Sequence, residues 1–365
     1  MFQRILLLFA MTCAAPTVAL PAAASNFKTF RDWFAACDNL RNCSAYGFDV
    51  EFAGGGSAYL RIERGGAPDA PVKATVTVNS APNATFTLRF DDPVLPGLPT
   101  EPQSGEEGEG HDLRRVTIAQ PDLLIASIRK AQTIVVTREA AAGGTLTDDE
   151  KSPSTISLSG AAAALLWIDD RQKRIDTETA LVRRGPKPAR TMPPQPGMSV
   201  IVAAKPAKGA VPATLPPALL EKARKDCGDD EKAALEDTSR LGPGLLLYSF
   251  TCPGSSGAYN FHDIYYIVPD GKPAAARAVT FTWPIKVGDA EHDGEKSGAT
   301  NSSFDPKTMT LRAFSKDRGI GDCGTDERWV YDGKAFRLAE LKLMSECKGV
   351  PPDDWPVLYR ATVKR

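Results

Sequence analysis

The polar cluster with the best claim to chemistry is the run DDRQ at 169–172, which follows an apolar stretch. The spacing of that stretch predicts a helix over 160–172, with Ser159 as its N-cap. Adjacent carboxylates on a helix point about 100° apart, so the two aspartates do not grip one proton or one metal ion together. The pattern favours a helix end with Asp–Arg pairing. A ligand-binding role for Asp169 or Arg171 is the alternative.

Three other patterns resemble functional motifs, and each departs from its motif at a required position. The run DAEHDG at 289–294 resembles the first half of a calcium-binding loop, but Thr300 stands where a bidentate Glu is needed. No Gly-x-Ser-x-Gly elbow supports a serine hydrolase, and the chain has three histidines in all. The run GIGDCG at 319–324 lacks the Lys-Ser/Thr ending of a phosphate-binding loop. We therefore predict no metal ion and no cofactor.

The first 24 residues have the features of a secretory signal peptide. Arg4 precedes a short apolar run at 5–11, and alanines at 22–24 form a small-residue cleavage site. Without Arg4, the 44 basic residues become 43, against 45 acidic residues. This near balance predicts no nucleic-acid partner. The remaining chain has no apolar run long enough for an integral membrane segment, so we expect a periplasmic or secreted protein.

Six cysteines follow the predicted leader. An even number in an exported chain indicates disulfides, and sequence proximity favours the pairs Cys37–Cys43, Cys227–Cys252 and Cys323–Cys347. A zinc site is the alternative, but the sequence lacks the Cys-x-x-Cys spacing and the nearby histidine that such a site needs. The seventh cysteine, Cys13, lies inside the leader, where the preceding Ala-Met-Thr is a poor match to a lipoprotein processing site.

Short strand-like segments dominate both halves of the chain and predict a mainly β protein with a few helices, in the α+β class. Residues 25–185 are predicted to form an N-terminal β-rich domain with two helices, as an antiparallel sheet or sandwich. Nine prolines mark 186–217 as a semi-rigid linker, and residues 200–202 add a short edge strand within it. Residues 218–365 are predicted to form an antiparallel β-meander, with a hairpin turn at 332–334.

Four segments together carry a resemblance to a known family. They are the Trp33/Cys37/Cys43 opening, SLSGAAAALLWIDDRQ at 157–172, TALVRRG at 179–185 and RGIGDCG at 318–324. In combination they resemble the six-cysteine bacterial family catalogued as DUF1176, over nearly the whole chain after the leader. That resemblance implies export and a shared fold, and it implies no particular activity. The first half is also loosely similar to the invasion-associated locus B proteins.

The resemblance makes two polar residues of the last segment candidates for ligand binding. Arg318 and Asp322 lie on a loop that a disulfide at Cys323 would hold rigid, and rigid loops are typical recognition elements. A turn anchored by the disulfide is the interpretation that we prefer for this loop over phosphate binding.

Two functional hypotheses follow. The first is a non-catalytic exported binding protein whose partner is a protein or an envelope ligand, and one form of it is an inhibitor that uses such a loop as a plug. The second is a hydrolase acting on envelope material, with carboxylates such as Asp169 or Asp322 in its site. Carboxylates that converge in one cleft would favour the hydrolase, and scattered surface acids would favour the binding protein.

Overall fold

The computed structural model describes residues 26–50, 58–80, 84–107, 113–140, 142–228, 232–287 and 296–365. The predicted leader and the calcium-like run at 289–294 lie outside these residues. The described chain is mainly β, with antiparallel sheets, four α-helices and three disulfides, and the predicted fold class is confirmed.

One antiparallel sheet of seven strands forms the centre of the N-terminal half. Its strands are β1 (Phe27–Phe30), β2 (Trp33–Cys37), β3 (Cys43–Phe48), β4 (Ala58–Arg64), β5 (Val72–Asn79), β7 (Glu106–Glu107) and β8 (Leu113–Thr117). They lie in the order β1-β2-β3-β4-β5-β8-β7. The β2–β3 hairpin ends on the pair Cys37↔Cys43, which the first disulfide joins.

A smaller sheet and three helices complete this half. The sheet contains β6 (Thr85–Phe90), β9 (Thr133–Glu139) and β10 (Ser154–Ser157), and the helices are α1 (Pro121–Ile128), α2 (Asp148–Lys151) and α3 (Ala161–Arg171). Helix α3 occupies the predicted range, but Ser159 is not its N-cap. Gly160 takes that position with a φ of 99°. The residue has to be glycine, because a Cβ there would lie 1.8 Å from the carbonyl oxygen of Phe30.

The C-terminal half contains two further sheets. The first has the order β11-β21-β20-β19-β18-β17, and β11 pairs with β21 in parallel. Its strands are β11 (Ser199–Val202), β17 (Ser303–Asp305), β18 (Thr310–Lys316), β19 (Gly324–Tyr331), β20 (Phe336–Met344) and β21 (Val357–Lys364). The turn between β19 and β20 confirms the hairpin predicted at 332–334.

The second C-terminal sheet has the order β12-β13-β14-β15, and β16 also pairs with β14. These strands are β12 (Ala234–Gly242), β13 (Leu245–Cys252), β14 (His262–Pro269), β15 (Arg277–Ala278) and β16 (Ala299–Thr300). Helix α4 (Pro217–Cys227) packs on this sheet through Leu219 and Ala223. Short 3-10 turns occur at Ala189–Thr191, Pro253–Ser255, Pro273–Ala275 and Pro352–Asp354.

Strand β2 is buried on both faces, so the seven-stranded sheet is an inner layer at this strand. Trp33 and Ala35 belong to a core cluster with helix α3 and the three-stranded sheet. Phe34 and Ala36 belong to a second cluster, which is shared with the C-terminal sheets. Successive residues of a strand point to opposite faces, which explains this alternation.

The second of these clusters contains residues from both sides of the predicted linker. Phe34 and Tyr59 come from the N-terminal half, and Tyr265 and Trp329 come from the C-terminal half. Strand β11, which forms within the linker range, is paired to the C-terminal sheet, so the short strand expected there is confirmed. The division into two domains stays a prediction.

The three disulfides join the cysteines that are nearest in sequence. They are Cys37–Cys43, Cys227–Cys252 and Cys323–Cys347. Proteins with several disulfides are typical of non-cytoplasmic compartments, because the cytosol keeps thiols reduced. Within the described residues, none of the helices is long and apolar enough to cross a membrane.

We predict that Gly47→Ala destabilises the protein by about 1–3 kcal/mol, the usual cost of overpacking a core. Gly47 pairs with Trp33, and a Cβ at Gly47 would lie 2.5 Å from Cε2 and Cζ2 of the indole ring. The ring cannot move away easily, because its Nε1 donates a hydrogen bond to the Ser157 carbonyl oxygen at 2.8 Å.

Urea unfolding followed by circular dichroism measures this effect. Gly197→Ala is the matched control, since no atom lies within 4 Å of a Cβ there. Equal unfolding midpoints for the two variants would contradict the packing described for Trp33.

Candidate functional site

The loop between β18 and β19, residues 317–323, carries two of the predicted site residues. Its ends are fixed by strand pairing, since Lys316 pairs with Gly324. The Cys323–Cys347 disulfide ties it to the segment after β20. Gly321 turns the chain with a φ of 72°, a conformation that favours glycine.

Arg318 and Asp322 bind each other across this loop. Arg318 Nε donates to Asp322 Oδ1 at 2.7 Å, and Nη2 donates to Oδ2 at 2.5 Å. Asp322 Oδ2 also accepts the Gly349 backbone N–H at 2.7 Å. The carboxylate is buried, with 7% of its side chain exposed. The two residues therefore stiffen the loop from inside, a role that the sequence did not reveal.

The electrostatics agree with this geometry. Burial by itself raises the pKa of Asp322, but the hydrogen bonds from Arg318 and from the Gly349 N–H outweigh it, and the pKa lies below its usual value. The hydrogen bond to Asp322 in turn raises the pKa of Arg318. The ion pair is fully charged at neutral pH.

The apolar side chain that this loop presents to solvent is Ile320, which is 72% exposed. Tyr259 from the neighbouring loop lies beside Gly319, the residue before Ile320, since a Cβ at Gly319 would be 3.5 Å from Tyr259 Cδ1. Phe261, two residues further along, is 52% exposed. We call Tyr259, Phe261 and Ile320 the exposed loop patch.

Two asparagine side chains hold the loops of this patch together. Asn260 donates to the Lys316 carbonyl oxygen at 2.7 Å and accepts the Lys316 N–H at 3.1 Å. Asn301 Nδ2 donates to the carbonyl oxygens of Phe314 at 2.8 Å and Tyr259 at 3.1 Å. The patch is therefore built on loops that hydrogen bonds and disulfides restrain.

A polar groove of about 480 Å³ lies next to Phe261 and reaches Asp263, which is buried. Both oxygens of this carboxylate are occupied. Oδ1 accepts the Thr251 hydroxyl at 2.6 Å, and Oδ2 accepts the Ser302 hydroxyl at 2.7 Å. Burial raises the pKa of Tyr265, whose hydroxyl lies 2.7 Å from the Ser302 Oγ. Several hydroxyl groups therefore line the groove, and the Tyr265 hydroxyl among them is neutral.

Asp169 and Arg171, the other predicted candidates, do not form the expected pair. Asp169 is fully buried in α3 and accepts the backbone N–H groups of Leu181 at 2.7 Å and Val182 at 2.9 Å. Burial raises the pKa of Asp169 despite those bonds. Arg171 instead bonds to Asn26 and lies over the Trp167 ring. Asp169 is therefore not the partner of Arg171, and the aspartate that interacts electrostatically with Arg171 is Asp170.

Arg174 is a fully buried cation that the sequence analysis missed. Its Nη1 donates to the Pro68 carbonyl oxygen at 2.8 Å and to Thr179 Oγ1 at 2.9 Å, and its Nε donates to Gln172 Oε1 at 2.7 Å. Burial lowers its pKa to about 10. Together with Asp169, this residue anchors loops around the end of α3, so both side chains are part of the scaffold.

A further buried carboxylate, Asp354, was also missed. Arg61 donates to its Oδ1 at 2.8 Å and Arg115 donates to the same oxygen at 3.1 Å. Tyr59 donates to Oδ2, and Tyr46 donates to the backbone carbonyl oxygen of Asp354 at 2.6 Å. Burial raises the pKa of both tyrosines well above the usual value. The cluster joins the seven-stranded sheet to the segment before β21.

The described residues contain no group of three or more His, Cys, Asp or Glu side chains arranged to hold a metal ion. Neither candidate carboxylate of the hydrolase hypothesis has free oxygens, because Asp169 is bound by backbone N–H groups and Asp322 by Arg318 and Gly349.

The fold defines a disulfide-linked, mainly antiparallel β protein with a restrained loop surface. Residues 27–362 match the family described as "Protein of unknown function (DUF1176)", and the chain belongs to this family. The chain is 30% identical over 385 residues to the Uncharacterized protein YpfG of Escherichia coli (strain K12), over 98% of this chain and 99% of that protein. No solved structure matches the chain. The family assignment from the sequence motifs is confirmed, and the similarity to the invasion-associated locus B proteins stays a prediction.

We predict that Asp322→Asn destabilises the protein at neutral pH by about 1.5–3 kcal/mol, the scale of hydrogen bonds to a charged group. The folded pKa of Asp322 is lowered, so its carboxylate stabilises the folded state above the unfolded pKa of about 3.9. That contribution is lost as the pH falls through the folded value. The variant should therefore lose less stability on acidification than the wild type.

Urea midpoints between pH 7 and pH 3 measure this difference, and Asp170→Asn is the control, since Asp170 is 60% exposed. Parallel pH profiles for Asp322→Asn and the wild type would show that the ion pair contributes nothing.

We also predict that Asp354→Asn lowers the free energy of unfolding by about 3–5 kcal/mol, the usual cost of breaking a buried ion pair. The amide would remove the negative charge that lies 2.8 Å from Arg61 and 3.1 Å from Arg115, both partly buried, and leave Arg61 only the more exposed Glu63 at 3.4 Å. Chemical denaturation measures the loss, with the neighbouring exposed Asp353→Asn as the matched control. A stability equal to that of the control would mean that the cluster is neutral.

Proposed function

We propose that this protein is an exported, non-catalytic binding protein of the periplasm or the extracellular space, and that it binds another protein through the exposed loop patch. Three disulfides support a location outside the cytoplasm. The signal-peptide features of residues 1–24 support export across a membrane.

One observation carries the binding role: Ile320 is an exposed apolar side chain at the tip of a stiffened loop. It is 72% exposed, and the loop beneath it is held by the Arg318–Asp322 pair and by a disulfide. A restrained loop loses little conformational entropy on binding, so more of the contact energy becomes affinity. Aromatic side chains such as Tyr259 and Phe261 are typical of the centres of interfaces.

The form of the patch favours a partner with an apolar cleft. A tip with Ile320 flanked by Tyr259 fits a concave surface better than a flat one, as expected of a loop that plugs the cleft of an enzyme. An inhibitor of an envelope-targeting enzyme, such as a cell-wall hydrolase, is the form of this hypothesis that we favour.

We predict that Ile320→Asp weakens partner binding at least about tenfold and leaves the folded protein intact. A charge at the centre of an apolar contact loses burial energy and adds a desolvation cost. The mature oxidised protein would be immobilised and exposed to a panel of purified cell-wall hydrolases, with affinity measured by surface plasmon resonance and inhibition measured by hydrolase activity.

Val94→Asp is the matched control, because Val94 is 85% exposed and lies in a different loop. The proposal requires that wild type and Val94→Asp bind one hydrolase equally and that Ile320→Asp does not. Equal binding by all three proteins, or no binding to any member of the panel, would count against the proposed function.

A further inference from the structure

A row of charged side chains crosses the C-terminal six-stranded sheet. The register aligns Ser303, Arg312, Arg328 and Glu340 on four neighbouring strands. Arg312 and Arg328 stand directly opposite each other on β18 and β19. Like charges in that position destabilise a sheet unless something neutralises them.

The protein neutralises these two cations only in part. Arg312 is exposed and makes no hydrogen bond or ion pair with the described residues. Arg328 reaches Glu340 at 4.0 Å, the outer limit of an ion pair. Lys342 and Arg312 both interact with the nearby Asp326, and Lys342, at 3.8 Å, is the stronger of the two partners. Because one carboxylate is shared in this way and Glu340 lies at the limit of an ion pair, the two guanidinium groups keep a net positive charge.

Both arginines line a pocket of about 320 Å³, and Arg365 lines it as well. The pocket also contains the hydroxyl groups of Ser303, Thr308 and Thr310. Its carboxylate, Asp305, is already occupied, because Oδ1 accepts the Lys307 N–H at 2.9 Å and Oδ2 accepts the Thr308 hydroxyl at 2.6 Å. These bonds lower the pKa of Asp305 and hold its carboxylate against the backbone turn that follows it.

We propose that this pocket binds a phosphate ester. Guanidinium groups match phosphate oxygens with paired N–H donors. The Ser303 hydroxyl can add a further donor, whereas the hydroxyls of Thr308 and Thr310 already donate to Asp305 and to the Thr308 carbonyl oxygen. Several guanidinium groups around one pocket suit a dianion better than a monocarboxylate. A ligand here would also relieve the repulsion between Arg312 and Arg328. None of the residues that line this pocket belongs to the exposed loop patch, and the site does not depend on the proposed function.

Calorimetric titration of the mature oxidised protein at low ionic strength tests the proposal. The probes are glycerol 3-phosphate and inorganic phosphate, with glycerol and sodium acetate as controls at equal ionic strength. Vesicles with and without phosphatidylglycerol form a second arm, which distinguishes a lipid phosphate from a soluble ester. We expect binding to at least one phosphate probe, saturable and stronger than to acetate.

The decisive variant is Arg312→Gln, compared with Arg89→Gln as a control. Arg89 is an exposed strand arginine on the three-stranded sheet, so both substitutions remove one positive charge. Arg312→Gln should weaken phosphate binding at least about tenfold, which corresponds to about 1.4 kcal/mol. Without ligand it should be as stable as the wild type or more stable, because one of two opposed charges is gone.

Phosphate should raise the unfolding midpoint of the wild type and of Arg89→Gln, and leave that of Arg312→Gln unchanged. Binding only to the vesicles, lost in Arg312→Gln, would assign the lipid phosphate as the source. Equal binding by both variants, equal binding of acetate, or no binding to any phosphate probe would overturn the proposal.

Discussion

The buried carboxylate of Asp354 connects the two halves of the chain. Tyr59 and Arg61 approach it from β4, and Arg115 approaches from β8, so one acidic residue gathers donors from two strands of the seven-stranded sheet. A buried charge is tolerated only when it is paired and hydrogen-bonded. The position of the segment before β21 is therefore tied to the register of the N-terminal sheet.

A side-chain amide that bonds to the backbone like a strand residue reinforces that connection beside the first disulfide. Asn39 lies in the loop that Cys37 and Cys43 close, and its side-chain amide bonds to both the N–H and the carbonyl oxygen of Arg360 on β21. Asp38 contributes an ion pair to the Arg360 Nε at 2.8 Å. Because β2 is buried on both faces, this small loop lies where two cores meet, and the disulfide limits its freedom at that point.

Much of the conspicuous polar chemistry in this family member serves its architecture. Asp169 and Arg174 satisfy buried backbone groups around α3, and Asp322 fixes a loop through Arg318. Our two proposals rest instead on an apolar tip at Ile320 and on arginines that line a pocket on a sheet face. Both are features typical of recognition surfaces. A rigid scaffold with exposed loops is a common design for binding proteins.

Features that depend on near neighbours in the chain were predictable from the residues alone. The cysteine pairs lie close along the chain, the turn at 332–334 has the residues that a hairpin needs, and the motifs identify the family. Which polar side chains are buried with hydrogen-bond partners, and which are exposed, depends on the tertiary structure. Asp354 and Tyr59 are 295 residues apart, and the inward turn of Asp322 depends on the distant Gly349 N–H. Such contacts are set by packing between remote segments, and no local pattern of residue types encodes them.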